Sequence, residues 1–336
     1  KAEIALAEAD TTIFNSKGVN FSYGSSYITA HITVLANDGH DSQMGWDVAA
    51  SRRLSDIDFS SVAENASGNA IDMLGARKIS PVRAPVILNP SVASDFLGIF
   101  SASLSAEAVQ KKRSFLAGRI GKLIISPLLN IVDDGLMPWK PGTKPVDDEG
   151  VPASKKIIVS NGSLTGFIHN TYTAKKDGVA STGNAARGGF KNLPYVDVTN
   201  FYIEPNPPIP PFAKGGLRGD YSQAMEGRFA GQGSRDKGQE NKSQKNNKLI
   251  KSLPKGILIL EAMGVHTANP VSGDFSIGIS GLWIEKGEVA YPVKEAVMSG
   301  NILDLFKRVE GIGDDLKFYG KIGSPSLLIG EMDISA

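Results

Sequence analysis

Short runs that alternate apolar and polar residues, separated by glycine turns, dominate the second half of this chain. Phe275, Ile277 and Ile279 share one face, Leu282 and Ile284 follow, and Val289, Tyr291 and Val293 resume after Lys286-Gly287. A period of two is the strand signal, and half-polar strands of this kind pair in antiparallel sheets rather than in a parallel sheet buried on both faces. Lys156–Val159 and Leu164–Ile168 flank Ser160-Asn161-Gly162-Ser163, which carries hairpin turn chemistry, and Ser326–Ile329 supplies a last apolar strand. Strand structure is also expected from Tyr27: Ile28, Ala30, Ile32 and Val34 oppose Thr29, His31 and Thr33, and Asn37-Asp38-Gly39 turns the chain back through Met44, Trp46 and Val48.

Helices are fewer. Phe59, Val62, Ala63, Ala66, Ala70 and Leu74 recur at helical spacing, Ser61 and Glu64 stand as a capping box, and Gly75 is a stop. Ser91 to Phe100 and Ser105 to Leu116 read as two more helices, and Asn301 caps a short one through Ile302, Leu305, Phe306 and Val309. Lys78–Pro85, with two prolines, reads as a boundary. The expected fold class is therefore α+β. Residues 1–80 would form a small N-terminal α/β unit, and 81–336 a larger, strand-rich, mostly antiparallel C-terminal domain with a few helices. Residues 205–251 hold Pro207-Pro208 and Pro210-Pro211 and then Gly-, Lys-, Gln- and Asn-rich sequence. With few apolar groups to offset the entropy of ordering, they are expected to be a mobile insertion.

Composition narrows the chemistry. Thirty-six Lys+Arg against 35 Asp+Glu leave a net charge of +1, which argues against a nucleic-acid protein built on global charge. The one basic stretch, Arg235 to Lys251, reads as a solvated loop. No apolar run reaches the ~18–20 residues that span a bilayer, so no membrane partner is expected. With no cysteine, thiolate nucleophiles and Cys-ligated metals are excluded. None of the four histidines, His31, His40, His169 and His266, stands in a two-ligand helical spacing. Phosphate loops, dinucleotide fingerprints and nucleophile elbows are missing, and Ser252-Leu253-Pro254-Lys255 spells a Ser-x-x-Lys motif that its proline cannot hold in a helix. The carboxylate runs Asp133-Asp134, Asp147-Asp148-Glu149 and Asp314-Asp315 lie beside Gly or Pro and read as solvated turns. Catalytic residues and metal ligands are therefore expected to be none.

The ordered series Glu261-Ala-Met-Gly-Val-His-Thr-Ala-Asn-Pro-Val-Ser-Gly-Asp274, Gly281-Leu-Trp-Ile-Glu-Lys-Gly-Glu288, Tyr291-Pro-Val293, Ser299-Gly-Asn-Ile302, Gly311-Ile-Gly-Asp-Asp315 and Ser324-Pro-Ser-Leu-Leu328 resembles the C-terminal domain of the TldD/PmbA family, within its PmbA (TldE) branch. Asn65–Leu74, Leu129–Asp134 and Tyr172–Gly183 fit the same branch in order, so the resemblance covers nearly the whole chain outside 205–251. Members usually carry more N-terminal sequence, so the chain is expected to be trimmed. The resemblance implies a cytoplasmic, oligomeric peptidase system in which a TldD-type subunit holds zinc on a His-Glu-x-x-x-His helix. The PmbA-type subunit shares the fold without that helix, and together the two degrade or trim peptides. The family label, modulator of DNA gyrase, follows from that role.

This chain lacks the zinc helix motif. It is expected to take no cofactor of its own, with zinc in a TldD-like partner and an unfolded or extended peptide as substrate. The loop Gly264–Gly273 is the candidate wall of a peptide groove, with His266, Asn269, Gly273 and Asp274 as substrate-binding residues. The alternative is a non-enzymatic regulatory homodimer acting in a toxin–antitoxin or gyrase pathway. Nucleic-acid binding through Arg235–Lys251 is a weaker third reading.

Overall fold

The computed structural model describes residues 1–205 and 248–335. In chain order the strands and helices are β1 Ala2–Phe14, β2 Asn20–Asn37, β3 Ser42–Ser51, α1 Phe59–Asp72, β4 Val82–Leu88, α2 Pro90–Ser103 and α3 Ala106–Gln110. Then come β5 Ile131–Asp134, β6 Lys155–Ser160, β7 Ser163–Leu164, α4 Thr171–Asp177, β8 Ala185–Ala186, β9 Tyr195–Val196 and β10 Phe201–Ile203. After the undescribed stretch follow α5 Lys248–Ser252, β11 Lys255–Met263, β12 Asp274–Glu285, β13 Glu288–Asn301 and α6 Ile302–Lys307. The chain ends in β14 Val309–Ile312, β15 Lys317–Tyr319, β16 Ile322–Ser324 and β17 Leu327–Ser335.

Mostly antiparallel sheets with a few helices set between their strands give the expected α+β class. The first three strands form an antiparallel meander, and α1 packs on it. The approach is close because Gly45 has no side chain: a Cβ there would lie 2.3 Å from Ala66 O and 2.3 Å from Ala70 N. Gly45→Ala is therefore expected to cost about 1–3 kcal/mol by forcing α1 off the sheet. Urea unfolding of the variant checks this, and an unchanged midpoint would refute it.

A second sheet runs in the order β13-β12-β11-β4-β17-β14, and Val297 and Met298 pair with Ser335 and Ile334 to join β13 back to β17. Among the described residues two strand pairings are parallel, β4 with β11 and β10 with β16, and the other strand pairings are antiparallel. Val86, Leu88, Ile257 and Ile259 enter one core cluster, while Ile87, Leu258 and Leu260 enter another on the opposite face. These strands are buried on both sides, which is why their sequence reads as a continuous apolar run. The third sheet, β15-β16-β10-β5-β6-β7, faces α2, whose Phe96 and Phe100 fill the large cluster against Phe275 and Phe306.

Several local expectations change. Strand structure begins at Ala2 rather than Tyr27. Nearly every β1 residue is exposed on both faces, so the strand carries no amphipathic signature. The cap of α1 is Asp58, which accepts from Ser61 N at 3.0 Å, and this places Ser61 inside the first turn. The helix expected to Leu116 stops at Gln110, because Lys112 takes a positive φ of 56° and Ser114 donates to Ser103 O. The strand expected over Leu164–Ile168 is only Ser163–Leu164. Residues 206–247, most of the expected insertion and of the Arg235–Lys251 stretch, lie outside the described residues. At the insertion's expected C-terminal margin, α5 is helical and buries Ile250 against Leu258 and Leu282.

Candidate functional site

Three of the four residues expected to bind substrate come together, but in a turn that satisfies itself. Asn269 Oδ1 accepts from Val271 N at 2.9 Å and Ser272 N at 3.2 Å, and Asn269 N donates to Asp274 O at 2.9 Å. Gly273 takes φ 82° and donates to Asn269 O, packed against Asn301 and Phe115. Asp274 accepts from Asn301 Nδ2 at 2.8 Å, and hydrogen bonds from Ser272 and Asn301 hold its carboxyl below the usual carboxylate range. His266 stands apart in a single turn, Val265–Thr267, where its exposed imidazole makes no hydrogen bond among the described residues.

The concave surface lies elsewhere. A crevice of about 240 Å³ opens between the N-terminal sheet with α1 and the C-terminal domain. It is lined by Asp47, Asn65, Asn69, Leu258, Leu260, Asp315, Lys317 and Tyr319, with Asn89 and Pro90 from the start of α2. A smaller recess of about 40 Å³ shares Asp47, Asn69 and Tyr319 and adds Met44, Trp46, Met73 and Glu261. None of the four expected residues lines either one.

Two sheet margins flank the opening. β3 is the outer strand of the meander and β15 that of the third sheet, and the two strands pack together. Lys317 Nζ bridges them by donating to both oxygens of Asp47, at 2.5 and 2.6 Å. Asp47, only 4% exposed, also accepts from Asn65 Nδ2 at 2.9 Å. Asp315 accepts from Ser326 N and Oγ at 2.8 and 2.6 Å. Tyr319 meets Trp46 edge to face with ring centroids 6.5 Å apart, and burial, with Asp47, Asp315 and Asp95 nearby, holds its hydroxyl well above the usual tyrosine range. The signal that marks this place in the sequence is faint: Asn65 and Asn69, one helical turn apart on α1, and a lone Asp47 amid Trp46 and Val48.

Asp95 stands one turn beyond Ser91 on α2, and desolvation pushes its carboxyl up to about 6. The folded state then binds more protons than the unfolded chain between pH 3.8 and about 6, so stability falls as pH rises through that window and the full penalty is present above it. Asp95→Asn is expected to stabilise the protein at pH 7.5 by up to about 1 kcal/mol, a figure reduced because the side chain keeps contact with water. The gain should vanish near pH 3.5. Thermal melts at both pH values check this, and an equal gain at both would contradict it.

In two of the carboxylate runs expected to be solvated turns, the first residue is buried instead. Asp133, fully buried, accepts from Thr199 N and Oγ1, Asn184 Nδ2 and Lys156 Nζ. Asp147, also fully buried, accepts from Glu149, Val151 and Ala185 backbone N–H groups. Both are structural hubs: a buried charge persists only where donors surround it. Among the described residues no three His, Asp or Glu side chains converge as a metal site requires.

Residues 3–74 match the PmbA/TldA metallopeptidase central domain, and residues 81–336 match the PmbA/TldA metallopeptidase C-terminal domain. Among curated relatives, the metalloprotease PmbA homolog of Haemophilus influenzae is 27% identical over 353 residues, covering 100% of this chain and 68% of the relative. The metalloprotease PmbA of Escherichia coli O157:H7 gives the same identity and coverage. The metalloprotease TldD homolog of Haemophilus influenzae is 27% identical over 277 residues, covering 76% of this chain and 50% of its own. The chain spans 62% to 68% of the length of the first PmbA relatives. Of solved structures, a candidate modulator of a DNA gyrase from Thermotoga maritima superposes with a TM-score of 0.81 at 27% identity, covering 99% of this chain and 68% of that one. TldE from Thermococcus kodakarensis superposes with a TM-score of 0.81 at 21% identity, covering 100% and 69%, and shows the same fold.

Proposed function

The chain belongs to the PmbA/TldD metallopeptidase family, and from that premise we propose that it is the metal-free, TldE-like subunit of a TldD/TldE-type peptidase complex. One contrast carries this reading. The chain matches PmbA relatives over its whole length, yet its sequence nowhere spells the His-Glu-x-x-x-His that a zinc-bearing subunit needs. Hydrolysis then depends on a partner's zinc, which would activate water. This chain's own contribution is to hold the substrate.

Extended peptides are held without sequence preference by main-chain hydrogen bonds to a sheet margin. The crevice lies beside β3 and β15, each the outer strand of its sheet, and this supports a peptide channel here. Asn65 and Asn69 bring carboxamides to the same wall, a chemistry suited to peptide groups. The test mixes the purified chain with a His-Glu-x-x-x-His relative and an unfolded peptide. Co-elution on size exclusion, with cleavage that exceeds that of either protein alone, is expected. Separate elution with no gain in cleavage would sink the proposal.

A second reading rests on the Thermotoga neighbour, described as a candidate modulator of a DNA gyrase. It makes the chain a non-enzymatic binding protein, acting as a homodimer. That reading expects no cleavage in any mixture, together with stable capture of a protein partner.

A further inference from the structure

The charge balance inside the crevice is uneven. Lys317, the one lysine among the described residues that line it, is already committed to both oxygens of Asp47. Two further carboxylates stand here, Asp315 in the crevice and Glu261 in the smaller recess that shares Asp47, Asn69 and Tyr319 with it, and neither has an ion pair among the described residues. Around them stand Met44, Trp46, Met73, Leu258, Leu260 and the ring of Tyr319.

Each ligand class meets these walls differently. An anion finds Lys317 already paired with Asp47 and faces carboxylates that have no ion pair among the described residues. A purely apolar ligand would strip water from those carboxylates without replacing it. A divalent cation finds no group of three ligating side chains among the described residues. An organic ammonium satisfies both parts of the wall: its charge is attracted by Asp315 in the crevice and by Glu261 in the adjoining recess, and its stem lies on apolar and aromatic surface. Trp46 and Tyr319, set edge to face, add the ring surface that attracts ammonium groups.

We propose that this crevice binds a primary ammonium group carried on a short apolar stem, supplied either by the amino end of a peptide or by a lysine side chain. The proposal rests on the peptide-holding reading for its choice of ligand. It is tested on the chain alone, so its outcome is independent of whether a zinc-bearing partner is recruited. Three probes are titrated by calorimetry: tetra-alanine amide with a free amino end, acetyl-Ala-Lys-Ala-amide, and acetyl-tetra-alanine amide. One or both of the charged probes should bind, identifying the source, while the uncharged probe should not.

Glu261 is exposed on β11, so Glu261→Gln leaves the fold intact and should weaken the charged probe about threefold to tenfold. Asp315→Asn should weaken it similarly, and its unliganded melting temperature reports separately on the contact with Ser326. Equal binding of charged and uncharged probes, no binding by any of the three, or an affinity untouched by Glu261→Gln would each overturn the proposal.

Discussion

Lys317→Met is expected to lower the stability of the protein by about 3–5 kcal/mol, a large share of the roughly 5–15 kcal/mol typical of a folded protein. The reason lies in Asp47. Its side chain is 5% exposed, and Lys317 is the only cation paired with it among the described residues. Removing the lysine leaves a buried carboxylate with Asn65 Nδ2 and Val48 N as its remaining donors. The contact spans 270 positions of sequence and ties β3 to β15, so its loss also loosens the N-terminal sheet from the C-terminal domain. Adding Asp47→Asn to Lys317→Met should recover much of the loss, because no charge is then left buried alone. Urea unfolding of the two single variants and the double variant measures the coupling. A single-variant loss below about 1 kcal/mol would show that the pair behaves as an exposed one.

Asp133→Ala is expected to be comparably severe, at about 3–5 kcal/mol. Four donors converge on this carboxylate: Thr199 N at 2.5 Å, Thr199 Oγ1 at 2.9 Å, Asn184 Nδ2 at 2.8 Å and Lys156 Nζ at 3.1 Å. Alanine removes this acceptor from all four at once: Thr199 N and Oγ1 lose their partner, while Lys156 Nζ and Asn184 Nδ2 keep only Thr182 O and Asp197 O. Asp133→Asn keeps the size and part of the hydrogen bonding, and should fall between wild type and alanine. Chemical denaturation of both variants tests this order, and an asparagine variant as unstable as the alanine one would assign the whole effect to the charge facing Lys156.

How far the sequence revealed this molecule follows from what each residue has to satisfy. The long β12–β13 hairpin was legible because Phe275, Ile277 and Ile279 are buried while Asp274 and Ser276 are exposed, a period of two imposed by one wet face. β1 was not legible, since a strand exposed on both sides leaves no such alternation. Asp133 and Asp147 read as surface turns because neighbouring glycine and proline mark loops, whereas their burial depends on Asn184, Thr199 and Ala185 far along the chain. The crevice was hidden for the same reason. Asp47, Asn65, Asn89 and the pair Asp315 and Lys317 belong to four separate segments, and the packing of β3 against β15 helps assemble them. The local motif Gly264–Gly273 stood out in sequence because turn residues cluster there, and most of their polar groups are spent on the turn itself.

The account turns on whether this chain carries its own hydrolytic centre. The direct measurement dialyses the purified chain against zinc, removes loosely held ion, and reads metal per chain alongside cleavage of an unfolded peptide. Far less than one zinc per chain and no cleavage above background are expected. One tightly held zinc per chain, with peptide hydrolysis that a chelator abolishes, would contradict it.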